Sequence, residues 1–167
     1  LRKILAISDL HVLSNFGLCL EEYVGEDGIE YKASPGQRRL LSYWKHLCHT
    51  VSNSDKWKLS EIWVVGDVFA GTNPIERGRR VRGSLDEQLR VALELIDMLP
   101  KCTIKVWSGT PYHESMDTHM HERLVENLKN RGWKAHFRGD WSFEKVGNTT
   151  AFVTHHASSA VVYPHTV

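Results

Sequence analysis

Three short, largely apolar runs, Lys3–Ile7, Glu61–Val65 and Thr103–Trp107, constrain this chain more than any other feature. The first two read as strands buried on both sides, and the third as a further strand. Helical patterns separate them. Gln37–Val51 places Leu40, Leu41, Trp44, Leu47, Cys48 and Val51 at helical spacing. Ser84 opens a second helix, with Glu87 completing a capping box, and apolar positions run through Leu89, Leu93, Ile96 and Leu99 to a stop at Pro100. Asp117 caps a third helix, which ends in the basic turn before Gly132.

This βαβαβα alternation predicts parallel strands joined by right-handed crossovers. A loop rich in Gly, Asp and Glu follows the first strand through Pro35, and Gly66–Gly83 reads as a second loop. Beyond the third helix the pattern changes. Trp133–Arg138, Trp141–Val146 and Thr149–Thr154 read as strands joined by tight turns at Gly139-Asp140 and Gly147-Asn148.

At 167 residues the sequence is expected to form one domain, residues 1–167, with a core that needs no staples. A net charge of +1 argues neither for nor against a polyanionic partner. Cys19, Cys48 and Cys102 form no C-x-x-C pair and read as free thiols of a reducing compartment. No apolar run is long enough to span a membrane, and the apolar stretch from Ile4 to Ile7 is too short for a signal peptide. The expectation is a cytoplasmic protein without a membrane partner; oligomeric state is not legible.

In open α/β sheets, ligands bind beyond the carboxyl ends of the strands. The first strand ends in Ser8-Asp9-Leu10-His11, the second in Gly66-Asp67, and the third in Ser108-Gly109-Thr110-Pro111-Tyr112-His113-Glu114. The last strand ends in Thr154-His155-His156. A single Asp after a strand is usually a turn former, and a lone His is usually a hydrogen-bonded structural residue. Four strand ends that all deliver carboxylates or imidazoles are different, because clustered carboxylates repel unless a cation sits among them. Mixed Asp and His ligation without thiolates suits Mn, Fe, Zn or Ni rather than Ca or Mg. Two such ions about 3.5–4 Å apart can clamp the attacking and phosphoryl oxygens of an in-line displacement. The chemistry therefore points to phosphoester hydrolysis.

The order D-x-H, G-D, G-x-x-x-H and a His after a strand resembles the calcineurin-like metallophosphoesterase superfamily, over Asp9 to His156. The third motif, Gly109-Thr110-Pro111-Tyr112-His113, resembles a G-T-x-x-H variant of phage and prokaryotic members. The resemblance implies a four-layer α-β-β-α sandwich with a dimetal site, Mn favoured, that hydrolyses a phosphate mono- or diester with a metal-bound hydroxide. It implies that Asp9 and His11 bind the first metal, Asp67 bridges both, and His155 binds the second. His156 would lie beside the site and contact substrate.

Three departures stand out. Ala70 occupies the place of the last Asp in G-D-x-x-D, which in relatives orients the catalytic His. Thr110 replaces the Asn of G-N-H, which leaves His113 two roles, ligand of the second metal or proton donor to the leaving group. The final G-H-x-H is missing from the sequence, and Pro164-His165-Thr166 does not match it. Three readings follow: a chain truncated before that motif, which is the expectation here, partial substitution by His165, or an incomplete site.

Weaker signals have blander readings. His119 and His121 point to different faces of one helix and read as solvated or helix-start residues, and His46 and His49 as surface or packing residues. Trp57, Trp63, Trp107, Trp133 and Trp141 read as core residues rather than base-stacking platforms. Arg77, Arg79, Arg80 and Arg82 form either a solvated loop or a phosphate contact next to the metals, with Arg77 and Arg79 as substrate-binding candidates. The expected partner is a phosphoester, with nucleotides and nucleic acid among the classes left open. The competing expectation is a catalytically impaired metal-binding or scaffold member of the same fold.

Overall fold

The computed structural model describes residues 2–53, 55–71, 84–111, 113 and 119–155. Arg77, Arg79, Arg80, Arg82, Asp117, His156 and His165 lie outside the described residues. In chain order the elements are β1 (Ile4–Ile7), β2 (Glu22–Val24), β3 (Glu30–Lys32), α1 (Pro35–Ser52), β4 (Glu61–Val65) and α2 (Leu85–Ile96). There follow β5 (Thr103–Trp107), α3 (Met120–Asn130), β6 (Lys134–Phe137), β7 (Trp141–Val146) and β8 (Thr149–Thr154).

The apolar strands assemble as expected. β1, β4, β5 and β6 form one sheet in that order, with every neighbouring pair parallel. Alternate residues of its strands point to opposite layers. Ile62, Val64, Ile104 and Val106 pack with Leu41, Trp44, Leu93, Ile96, Leu124 and Leu128 of the helices. Trp63 and Trp107 face the other way and pack with Val153, Val146 and Ala151 of the antiparallel pair β7–β8. The described residues thus form three layers, helices, parallel sheet and hairpin. Of the buried-strand expectation, β4 meets it from Glu61 to Val64, whereas β1 is only partly buried because it is the edge of the sheet.

Two expectations are corrected. The strand near Trp133–Arg138 does not open a hairpin. α3 supplies a crossover before it, so β6 joins the first sheet in parallel, and Gly139-Asp140 carries the chain from one sheet to the other. The loop through Pro35 contains a small hairpin, β2–β3, in which Tyr23 pairs with Tyr31. Helix starts divide similarly. Ser84 and Glu87 form the expected capping box, and Ser34 with Gln37 forms another, which starts α1 at Pro35, before the expected Gln37. α3 starts at Met120 behind His119, whose side chain makes no cap bond.

Between the two sheets lies a charged network. Lys105 Nζ donates to Glu144 Oε2 at 2.7 Å and stands 3.0 Å from Glu61 Oε2. Arg138 Nε and Ser142 Oγ donate to Glu144 Oε1, and Trp63 Nε1 and Arg2 donate to Glu61. Burial alone would raise both glutamates. The hydrogen bonds and the positive charges of Lys105 and the arginines outweigh it and hold both below the usual carboxylate value. Among the described residues, no helix is long and apolar enough to cross a membrane.

Candidate metal centre

The first sheet does not stop at its last formal pairs. Beyond β1 and β4 the two segments stay side by side: Asp9 N–H donates to Gly66 O at 3.3 Å and His11 N–H to Asp67 O at 3.0 Å. Val12 N–H donates to Val68 O at 2.8 Å, and Ala70 N–H returns to Val12 O at 3.2 Å. Within this ladder Asp9, His11 and Asp67 have φ of 56°, 43° and 46°. The left-handed region costs an ordinary residue about 1–2 kcal/mol, and such strain persists only where the surroundings over-determine it. Here the ladder does so, and it turns three ligand-type residues into one place.

Two glycines make that place possible. A Cβ on Gly66, whose φ is +71°, would stand 2.4 Å from His155 Cγ. A Cβ on Gly109 would stand 2.2 Å from both Asp67 N and Asp67 Oδ1. The backbone of β4 and the turn after β5 therefore approach the site as closely as glycine allows.

The side chains converge in two groups that share Asp67: His11 with Asp67 and His113, and Asp9 with Asp67 and His155. Within each group the candidate ligand atoms all lie within 4.8 Å of one another. His155 Nε2 is 3.1 Å from Asp67 Oδ2 and 3.9 Å from Asp9 Oδ1. Asp9 Oδ1 is also 3.6 Å from His11 Nε2, so it reaches the partner that the family resemblance implies as well as His155. The His11 and His113 rings meet edge to face at 4.4 Å. Asp67 is 4% exposed, while the Asp9 side chain is largely open to solvent. A cavity of about 240 Å³ opens against Asp9 and His155.

Neighbouring backbone sets the imidazoles. His155 Nδ1 lies 2.8 Å from the carbonyl of Val65, which makes Nδ1 the protonated nitrogen and leaves the Nε2 lone pair for the cluster. His113 Nδ1 makes a longer contact, 3.4 Å, to the carbonyl of Ala70. The main chain at Ala70 thus offers His113 an acceptor. Burial, followed by the neighbouring His113, lowers the pKa of His11 against the opposing pull of Asp67 and Asp9. A neutral ring with a free lone pair is the form that binds a metal.

Thr110 is the functional residue that sequence reasoning undervalued. It is a poor metal ligand, but its N–H and hydroxyl donate to Asp67 Oδ1 at 2.7 and 3.1 Å. It therefore fixes the shared carboxylate. The donor set as a whole, two carboxylates and three imidazoles, fits divalent transition ions. The cysteines stand outside both groups: burial pushes Cys19 up to about 12 and Cys48 and Cys102 up to about 11, which keeps them as thiols.

Other candidates are placed elsewhere. His119 is exposed and pairs with Glu122 at 3.2 Å. His121, expected in solvent or at a helix start, is buried edge-on against Phe69 because α3 turns it inward. His46 and His49 lie on the exposed face of α1. Trp63, Trp107 and Trp133 are buried as expected. Trp57 and Trp141 are not, being 44% and 59% exposed, and Trp141 stacks with Phe143 and Phe152 on the outer face of β7–β8.

No protein-family model matches the chain, and no curated protein matches it. The geometry itself establishes a mixed α/β fold, a parallel central sheet flanked by helices, and two His/Asp clusters joined at Asp67, an arrangement consistent with a metallophosphoesterase-like architecture.

Proposed function

We propose that this chain is a metal-dependent phosphoesterase. The observation that carries the reading is the sharing of Asp67 by two His/Asp groups, built from the carboxyl ends of the parallel strands β1, β4 and β5 and the end of β8. One divalent ion would be held by His11, Asp67 and His113, and the other by Asp9, Asp67 and His155, with Mn the favoured metal. Bound there, the ions supply positive charge that polarises phosphoryl oxygens and acidifies water.

The protein's own part is to hold these groups in position. Thr110 keeps the Asp67 carboxylate between the two positions. The Val65 and Ala70 carbonyls orient His155 and His113. Asp9 is largely exposed, and in this reading it faces incoming substrate. His113 sits close enough to His11 to serve as a ligand, and donation of a proton to the leaving alkoxide is the alternative role for it. Arg77, Arg79 and His156 are assigned to substrate phosphate by their place in the sequence. The same reading takes residues 1–167 as one such domain. It also implies a fourth layer over the outer face of β7–β8, where Trp141, Phe143 and Phe152 stand exposed.

A second reading, a metal-binding member with impaired catalysis, is favoured by Thr110 in the third motif, since its two donors occupy an oxygen that a bridging carboxylate would give to metal. Turnover of chromogenic phosphate mono- and bis-esters by protein loaded with Mn separates the two. Hydrolysis above the metal-only background is expected, and its absence sinks the enzyme reading. Asp67→Asn should abolish turnover and lower the bound metal per chain, measured by elemental analysis. Full metal content and rate in that variant would reject the shared carboxylate.

A further inference from the structure

The first loop and α1 enclose an open groove of about 380 Å³ that has Asp9 in its wall. Leu18, Leu40, Tyr43, Trp44 and Leu47 form most of the rest. On α1 these residues follow the spacing of one helical face, yet among the described residues this part of the face is left open: Leu40 is 41% and Tyr43 57% exposed. Trp44, 7% exposed, is the groove's buried aromatic residue.

The groove has little with which to hold a polar ligand. Trp44 Nε1 already donates to Leu95 O at 3.0 Å. The Tyr43 hydroxyl already accepts from Arg39 Nε at 3.0 Å. Among the described residues, Asp9 is the only charged residue in the wall, and it belongs to the two His/Asp groups. Among the described residues, a nucleobase buried there would find little beyond the Tyr43 hydroxyl proton for its polar edge, and would lose most of its hydrogen bonds to water without replacement. A hydrocarbon or aryl group loses none. The volume suits a single ring or short chain rather than a protein segment.

We infer that this groove binds the apolar organic group of the phosphoester whose phosphate is held at the metal groups, so that the preferred substrates are esters of aryl or aliphatic alcohols. This rests on the phosphoesterase reading for the position of the phosphate. The continuity of groove and metal groups through Asp9 is what joins the two ends of one ligand.

Two hydrolysis-inert probes test it on the full chain loaded with Mn: phenylphosphonate and methylphosphonate, titrated by calorimetry. Phenylphosphonate should bind about tenfold more tightly, equivalent to about 1.4 kcal/mol or about 55 Å² of apolar surface removed from water. Leu40→Asn combined with Tyr43→Ser should bring the ratio close to one. Both positions are exposed, so the double variant should fold, which circular dichroism checks. Equal affinities in the unaltered chain, a ratio kept by the variant, or no binding of either probe would each overturn the groove. Ester turnover measured in parallel separates the two claims. A phenyl preference without turnover keeps the groove and rejects the hydrolase, and turnover without a preference does the reverse.

Discussion

Asp67 is held by Thr110 on one side and meets His155 on the other, and both contacts depend on how closely the backbone passes. Thr110→Val keeps the volume and removes the hydroxyl. Loss of an outer hydrogen bond to a ligand typically weakens metal affinity about 10–100-fold, so a drop at the low end is expected, because the backbone N–H remains. Thr110→Ser should restore most of it; equal affinities for Val and Ser, from competition titrations, would show that the hydroxyl does not matter. Gly66→Ala is harsher. It adds a methyl 2.4 Å from His155 Cγ at a φ of +71°, so metal content should fall together with stability, by more than the ~1 kcal/mol of a simple glycine substitution. At this scale the side chains that gather are legible in the sequence because several strand ends deliver carboxylates or imidazoles together, where any one alone would read as a turn former or a structural residue. The carbonyls of Val65 and Ala70 are not legible, since every residue has one and only the fold selects which is used.

Elements were legible where one periodicity dominated. β4, β5 and the capping box of α2 follow directly from their residues. β6 did not, because a four-residue strand looks the same whether it pairs forward with β7 or back with β5. The helix before it settles the matter, and that is a property of the crossover rather than of the strand. β2–β3 was hidden for another reason: its strands are three residues each and mostly exposed, so they show no apolar pattern. The charged network between the sheets makes its own prediction. Glu61 and Glu144 are held below their ordinary value of 4.5 in the folded state, so they bind protons less readily than in the unfolded chain. Their contribution is therefore fully present above about pH 4.5 and is lost as pH falls through the lower folded-state values. Urea midpoints should hold steady from neutral pH to that point and then decline. Glu144→Gln should start lower at neutral pH and decline less; an unchanged acid slope would show that the network does not govern acid stability.

The whole molecule joins its two faces of sheet at the proposed metal centre. Asp9, His11 and Asp67 come from the helix-backed sheet, whereas His155 follows the hairpin that covers its other side. Metal bound only by the folded state should therefore stabilise the chain as a unit. At a free metal concentration one hundred times the dissociation constant the gain is about 2.7 kcal/mol. Thermal unfolding should shift upward with added Mn and return when a chelator is present. An unfolding temperature indifferent to metal would mean that the groups do not bind it in the folded protein. The order in which these residues leave the ribosome adds a last consequence. Asp9, His11, Asp67 and His113 are all made before His155, and folding during synthesis proceeds from the amino terminus. A nascent chain can therefore present one His/Asp group while the other lacks a member. If the proposed centre binds metal, both groups would be complete only once His155, which follows β8, has been translated and laid against the first sheet, so ion content would report how far the fold has closed.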